Sequence, residues 1–233
     1  MTDQKKPMKK LSRNSKKQNI NESEVNYLNY STIRKIHWLW KNRIPLGEVS
    51  VIAGDGGTGK STMVAYICAN LSKGKHLEDY QNDGERFDPV YGKALIIGHE
   101  ESNDTGLLPR LKVAGGKADH VVSYPKHLNL SDEKSCKDLK KYCRRISDLK
   151  LIVIDPVVDC MGKVDNNSNS DVSAALLNVA RVAQELQVAV LLITHFKKNS
   201  PGINLADRIN GSKAYVNKPR VVNCAYEIRN EDG

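Results

Sequence analysis

The stretch Gly54-Asp55-Gly56-Gly57-Thr58-Gly59-Lys60-Ser61 constrains this chain most, because it matches G-x-x-x-x-G-K-[ST] and lies between two different patterns. The apolar run Val49–Ala53 before it reads as a buried strand, and Thr62–Leu71 after it reads as a helix. Glycines let backbone N–H groups turn inward around phosphate oxygens, and the helix presents its positive end to the same charge. In such a loop Lys60 reaches the β- and γ-phosphates and Ser61 ligates Mg²⁺. The expected nucleotide-binding set is therefore Gly54, Asp55, Gly56, Gly57, Thr58, Gly59, Lys60, Ser61 and Thr62.

A strand feeding a helix through this loop implies an α/β fold, and the rest of the chain continues the alternation. Further β-branched-rich runs at Ala94–Ile97, Val121–Tyr124, Leu151–Ile154 and Val188–Ile193 predict buried strands. One helix begins at Ser131 and places Cys136, Leu139, Cys143 and Ile146 on one face; another spans Val172–Leu186. Near-continuous apolar strands separated by helices predict a mostly parallel sheet covered on both faces. Polar stretches at Lys75–Lys93, Asp159–Asp171 and Lys197–Ser212 exceed ordinary connector length and read as functional or mobile loops.

Composition closes off other classes. With 233 residues, a single domain buries roughly 70–75% of its unfolded surface. Hydrophobic content of 39%, charged content of 27% and a mean hydropathy of -0.50 fit an ordinary globular chain. No apolar run approaches the ~18 residues of a membrane helix, and Met1–Lys10 leads into Leu11-Ser12-Arg13 rather than an apolar core, so a cytoplasmic protein without membrane contact is expected. Five cysteines with no Cys-x-x-Cys pair argue for reduced thiols.

The net charge of +9 is uneven. Residues 1–20 carry seven Lys/Arg against Asp3, giving +6, while residues 21–233 contribute +3. The expectation is a disordered basic tail over 1–20, solubilising or holding nucleic acid, and an ATPase domain over 21–233.

The second half of a phosphate site belongs at the end of another parallel strand. Leu151-Ile152-Val153-Ile154-Asp155 supplies an apolar strand ending in a carboxylate, the form that holds the Mg²⁺ shell. Pro156 follows Asp155, so the base must come from elsewhere. The strand Ala94–Ile97 ends in Gly98-His99-Glu100-Glu101; a Glu there orients attacking water, the alternative being two solvated loop acids. A guanine-reading N/T-K-x-D is missing, since Asn217-Lys218-Pro219-Arg220 lacks the Asp, which favours ATP over GTP.

Taken in order, Trp38-Leu39-Trp40, Arg43-Ile44-Pro45, Gly47, the phosphate loop, Glu100-Glu101, Asp155-Pro156, Thr194-His195 and Gly211-Ser212 resemble the RepA-like branch of RecA-fold ATPases. That branch comprises hexameric replicative helicases and relatives carried by plasmids, phages and mobile elements. The resemblance implies that Glu100 activates water, that His195 senses the γ-phosphate, and that Arg220 is an arginine finger given to a neighbouring subunit. It also implies a hexamer on single-stranded nucleic acid, with Lys197, Lys198 and Lys213 facing the strand and other replication proteins as possible partners. Phe196 and Tyr215 are the aromatic groups near those loops. A regulatory or accessory ATPase of the same fold, switching protein contacts without unwinding, is the alternative. The end Arg229-Asn230-Glu231-Asp232-Gly233 reads as a hairpin turn with no strand after it, so a fragment or a minimal variant of the core is expected.

Overall fold

Residue alternation along the strands decides the architecture. In the computed structural model, which describes residues 28–77, 88–98, 102–197 and 204–227, Val51, Ile152, Ile154, Val190 and Leu192 enter one apolar cluster. Their neighbours Ile52, Leu151, Val153, Leu191 and Ile193 enter another. Successive side chains of a strand point to opposite faces, so a sheet that is apolar on both must be covered on both.

The chain divides into two units, Met1–Lys35 and Ile36–Gly233. Of the first, the described part contains one 3₁₀ turn, Tyr30–Thr32, whose start is capped by the Asn29 side chain accepting from the Ser31 N–H. The second opens with two short strands, β1 (Trp38–Trp40) and β2 (Ile44–Pro45), paired antiparallel. It continues through β3 (Val49–Gly54), α1 (Lys60–Lys73), β4 (Lys93–Ile97), α2 (Leu108–Val113), β5 (Val121–Ser123) and α3 (Glu133–Cys143). Then come β6 (Leu149–Ile154), α4 (Asn169–Leu186), β7 (Ala189–His195), α5 (Ala214–Asn217) and β8 (Val221–Ala225).

Strands β3 to β8 form one six-stranded sheet in the order β5-β4-β6-β7-β3-β8, every pair parallel. The mostly parallel α/β sheet is thus present, and β7 is inserted between β6 and β3. Helices α3 and α4 pack on one face through Leu139, Cys143, Val179 and Val182. On the other face α1 presents Val64, Ile67, Cys68 and Leu71 at helical spacing, joined by Leu111 of α2.

The predicted strands fall where expected, to within two residues at their ends. The helices start differently. Asp132, not Ser131, caps α3, its carboxylate accepting from the N–H groups of Lys134 and Ser135, and Ile146 lies beyond the helix. Ser168 caps α4 four residues before the apolar pattern begins at Val172, because Asn169, Ser170 and Asp171 are polar first-turn residues. The sequence reading missed α2 and the π-helical turn Asn103–Leu107 before it. The 1–20 tail and the 228–233 terminus lie outside the described residues.

Candidate functional site

Strand β3 ends in Gly54, and the chain must then reverse into α1. Gly57 (φ +82) and Gly59 (φ +81) occupy left-handed backbone that side chains rarely adopt, and a Cβ at either would meet nothing within 4 Å. The loop therefore offers an open surface of backbone groups. Asp55, Gly56, Gly57 and Gly59 are exposed, Thr58 is half-buried and its hydroxyl donates to the Asp55 carbonyl at 2.8 Å.

Lys60 begins α1 and is 7% exposed. Its Nζ donates to the carbonyls of Gly54 at 3.0 Å and Asp55 at 2.7 Å, so the ammonium is held against the loop's own backbone. Carbonyl acceptors are neutral, so they orient the ammonium at the loop mouth without cancelling its charge. Ser61 is half-buried in the first turn of α1, and Thr62 is exposed.

Asp155 follows β6, its N–H donating to the Ile97 carbonyl at 2.8 Å. Although β6 and β3 are separated by β7, Asp155 and Ser61 line one cleft of about 50 Å³ with Gly98, Asn103, Arg110 and apolar groups. Two hard oxygen donors, a hydroxyl and a carboxylate, suit Mg²⁺, which keeps most of its waters and takes few protein ligands. The donor set therefore fits the ion.

The insertion of β7 brings His195 beside the loop. Gly54 and His195 are paired in register, the Phe196 N–H donates to the Gly54 carbonyl at 3.2 Å, and the Asn210 N–H donates to the His195 carbonyl at 2.9 Å. Gly98 marks the exit of β4 toward Glu100, which, with His99 and Glu101, lies outside the described residues.

Arg220 goes elsewhere. Its N–H donates to the Val49 carbonyl at 2.8 Å, and β8 then runs parallel to β3 until Ala225 pairs with Gly54. The exposed Arg220 side chain thus starts at the opposite end of the strands from its own chain's phosphate loop. Lys197 and Lys213 are exposed, and both approach Asp207, Lys197 at the carbonyl and Lys213 at the carboxylate. Lys198 lies outside the described residues. Phe196 and Tyr215 are 4% and 0% exposed and belong to the core, which removes them as stacking surfaces for bases.

The loops following β6 and β7 are stitched together. The Ser212 N–H donates to the Asn166 carbonyl at 2.9 Å and its hydroxyl bonds Asn169 Oδ1 at 3.0 Å. Gly211 (φ +89) permits this approach, because a Cβ there would lie 2.9 Å from the Asn166 carbonyl oxygen.

A second, larger cavity of about 1120 Å³ opens on the outer side of the phosphate loop, between Asp55, Gly56, Gly57, Thr58 and Gly59 and the side chains of Leu205, Arg208, Tyr226 and Glu227. Sequence reasoning missed Arg208, Tyr226 and Arg110, and no local signal marks them, since each reaches the site only through sheet topology. The thiols are not part of it: burial pushes Cys68, Cys143 and Cys160 up to about 12 and Cys136 to about 11.

A family model described as AAA domain matches residues 15–201. Among 507 matching chains of solved structures, one described as an ATPase domain is similar at a TM-score of 0.56 and 11% identity, over 77% of this chain and 69% of that one. No curated protein sequence matches the chain. Among the described residues no helix is long and apolar enough to cross a membrane.

Proposed function

The chain belongs to the AAA domain family and carries the RecA-like P-loop ATPase fold, and from that premise we propose that it hydrolyses ATP with Mg²⁺ as a homo-oligomer of the RepA-like type, moving on single-stranded DNA as a replication helicase of a plasmid, phage or mobile element. The observation that carries this reading is the convergence of Ser61 and Asp155 on one cleft beside Lys60. An isolated glycine-rich turn would have no reason to meet a carboxylate from a non-adjacent strand.

In this reading the loop N–H groups and Lys60 bind the triphosphate, while Ser61 and Asp155 hold the ion. Mg²⁺ supplies neutralisation of the β- and γ-phosphate oxygens. Glu100 orients and deprotonates the attacking water. His195, in register with Gly54, senses the γ-phosphate, and its strand leads directly into the segment of Lys197 and Lys198. Arg220 cannot serve its own loop from the far end of β8 and acts on the pocket of a neighbouring subunit. The Ser212–Asn166 and Ser212–Asn169 hydrogen bonds tie the two candidate strand-facing loops to each other, with Lys213 next to the junction.

The test is the ATPase rate with and without single-stranded DNA across a salt series, together with mass in solution. A multi-subunit mass and stimulation that falls steeply with salt, through counterion release, are expected. An assembled oligomer whose rate ignores nucleic acid would replace the translocase reading with that of an accessory ATPase.

A further inference from the structure

The phosphate loop contains an acid, and an acid is a liability in a loop that must accept a polyanion. Asp55 lies two residues before Gly57 and lines the outer cavity with it. The structure answers that charge with Arg208, which comes from a 3₁₀ turn, Leu205–Arg208, far along the chain. Arg208 Nη2 donates to Asp55 Oδ2 at 2.9 Å. The guanidinium is also stacked 4.6 Å from the Phe196 ring centroid, and the Arg208 carbonyl accepts from the Lys197 N–H at 2.6 Å.

An ion pair with side chains 22% and 50% exposed contributes little to folding. Its placement matters more than its strength. Stacking on the buried Phe196 holds the cation in position at the edge of the cavity, and that cation cancels the one negative side chain of the phosphate loop.

We propose that Arg208 is a positioning residue for nucleotide binding that acts through Asp55: it neutralises the carboxylate so that the loop accepts a triphosphate, and thereby links nucleotide affinity to the segment following β7. The inference rests on the phosphate-loop reading above. Removing Arg208 exposes the incoming phosphates to an uncompensated carboxylate, and removing the carboxylate as well cancels the penalty. A residue that contacts phosphate directly, or that merely supports the fold, would show no such cancellation.

The experiment is equilibrium binding of a fluorescent ATP analogue to the full chain and to Arg208→Ala, Asp55→Asn, the double variant and Arg208→Lys. Arg208→Ala is expected to weaken binding about tenfold at low salt, a figure set by one like-charge contact near the surface. Asp55→Asn is expected to tighten it by about two- to threefold, since an uncompensated guanidinium then faces the phosphates. The double variant returns toward the wild-type affinity, Arg208→Lys retains most of it, and the Arg208→Ala defect shrinks at 1 M salt. A double variant as weak as Arg208→Ala, or an Arg208→Ala protein that binds like wild type, overturns the proposal. Should Arg208→Ala fail to fold, Arg208→Gln takes its place in the same cycle. Failure of the wild-type chain itself to bind, alongside a Lys60→Ala control, would instead remove the phosphate-loop reading.

Discussion

Gly98 and Asp155 approach so closely that a Cβ on Gly98 would collide with the Asp155 carbonyl oxygen. The exit of β4 is thereby set against the backbone of Asp155 at the end of β6, and both residues line the cleft that Ser61 also lines. Gly98→Ala is expected to push these strand ends apart, lowering stability by about 1–3 kcal/mol and reducing Mg²⁺-dependent hydrolysis more than nucleotide binding. Thermal unfolding and steady-state kinetics check it; an unchanged Tm with wild-type turnover would contradict it.

Lys60→Ala is expected to abolish ATP binding. Because Nζ is bonded to two loop carbonyls in a buried position, the substitution also loosens the loop, by about 1–3 kcal/mol, so the residue is not neutral to the fold. Nucleotide titration and a melting curve on the same preparation separate the two effects.

Glu100→Gln should retain ATP affinity and lose turnover by roughly 10²–10⁴, the range for a general base. If Glu101→Gln is the inactive variant instead, the active carboxylate is displaced by one residue. Binding and single-turnover assays on both proteins give the answer.

The assignment of Arg220 is tested by mixing. Arg220→Ala is expected to bind ATP and to hydrolyse it about 10³-fold more slowly. Lys60→Ala subunits lack a working pocket but still offer Arg220. Combining the two inactive proteins should therefore restore part of the activity at interfaces joining a good pocket to a good finger. A monomeric Arg220→Ala protein with full activity would end the assignment.

The buried thiols predict alkaline lability. Burial raises Cys68, Cys143 and Cys160 to about 12 and Cys136 to about 11, whereas an unfolded thiol titrates near pH 8.5. Above that pH the unfolded chain loses protons that the native chain keeps, so stability is fully present below about pH 8.5 and falls as pH rises toward 12. The slope is about 1.4 kcal/mol per thiol per pH unit. Denaturant melts from pH 7 to 10.5 should show the decline, and its removal in a Cys68→Ala, Cys143→Ala pair should flatten the curve.

The parts of this protein that were legible in its sequence are those governed by neighbours along the chain. Gly57 and Gly59 announce backbone that only glycine adopts readily, the run from Leu151 to Ile154 announces a buried strand, and Asp155 follows as the carboxylate at its end. Helix starts were less legible, because Ser168 and Asp132 cap α4 and α3 through side-chain contacts that an apolar pattern does not record. Strand order decided the rest. Inserting β7 between β6 and β3 sets His195 against Gly54, sends Arg220 to the far end of β8, and puts Phe196 and Tyr215 in the core rather than on a nucleic-acid surface. The same topology brings Arg208 to Asp55 across 153 positions of chain. A local pattern specifies what a segment buries; which distant charge faces it depends on how the buried faces pack, and only the folded sheet supplies that.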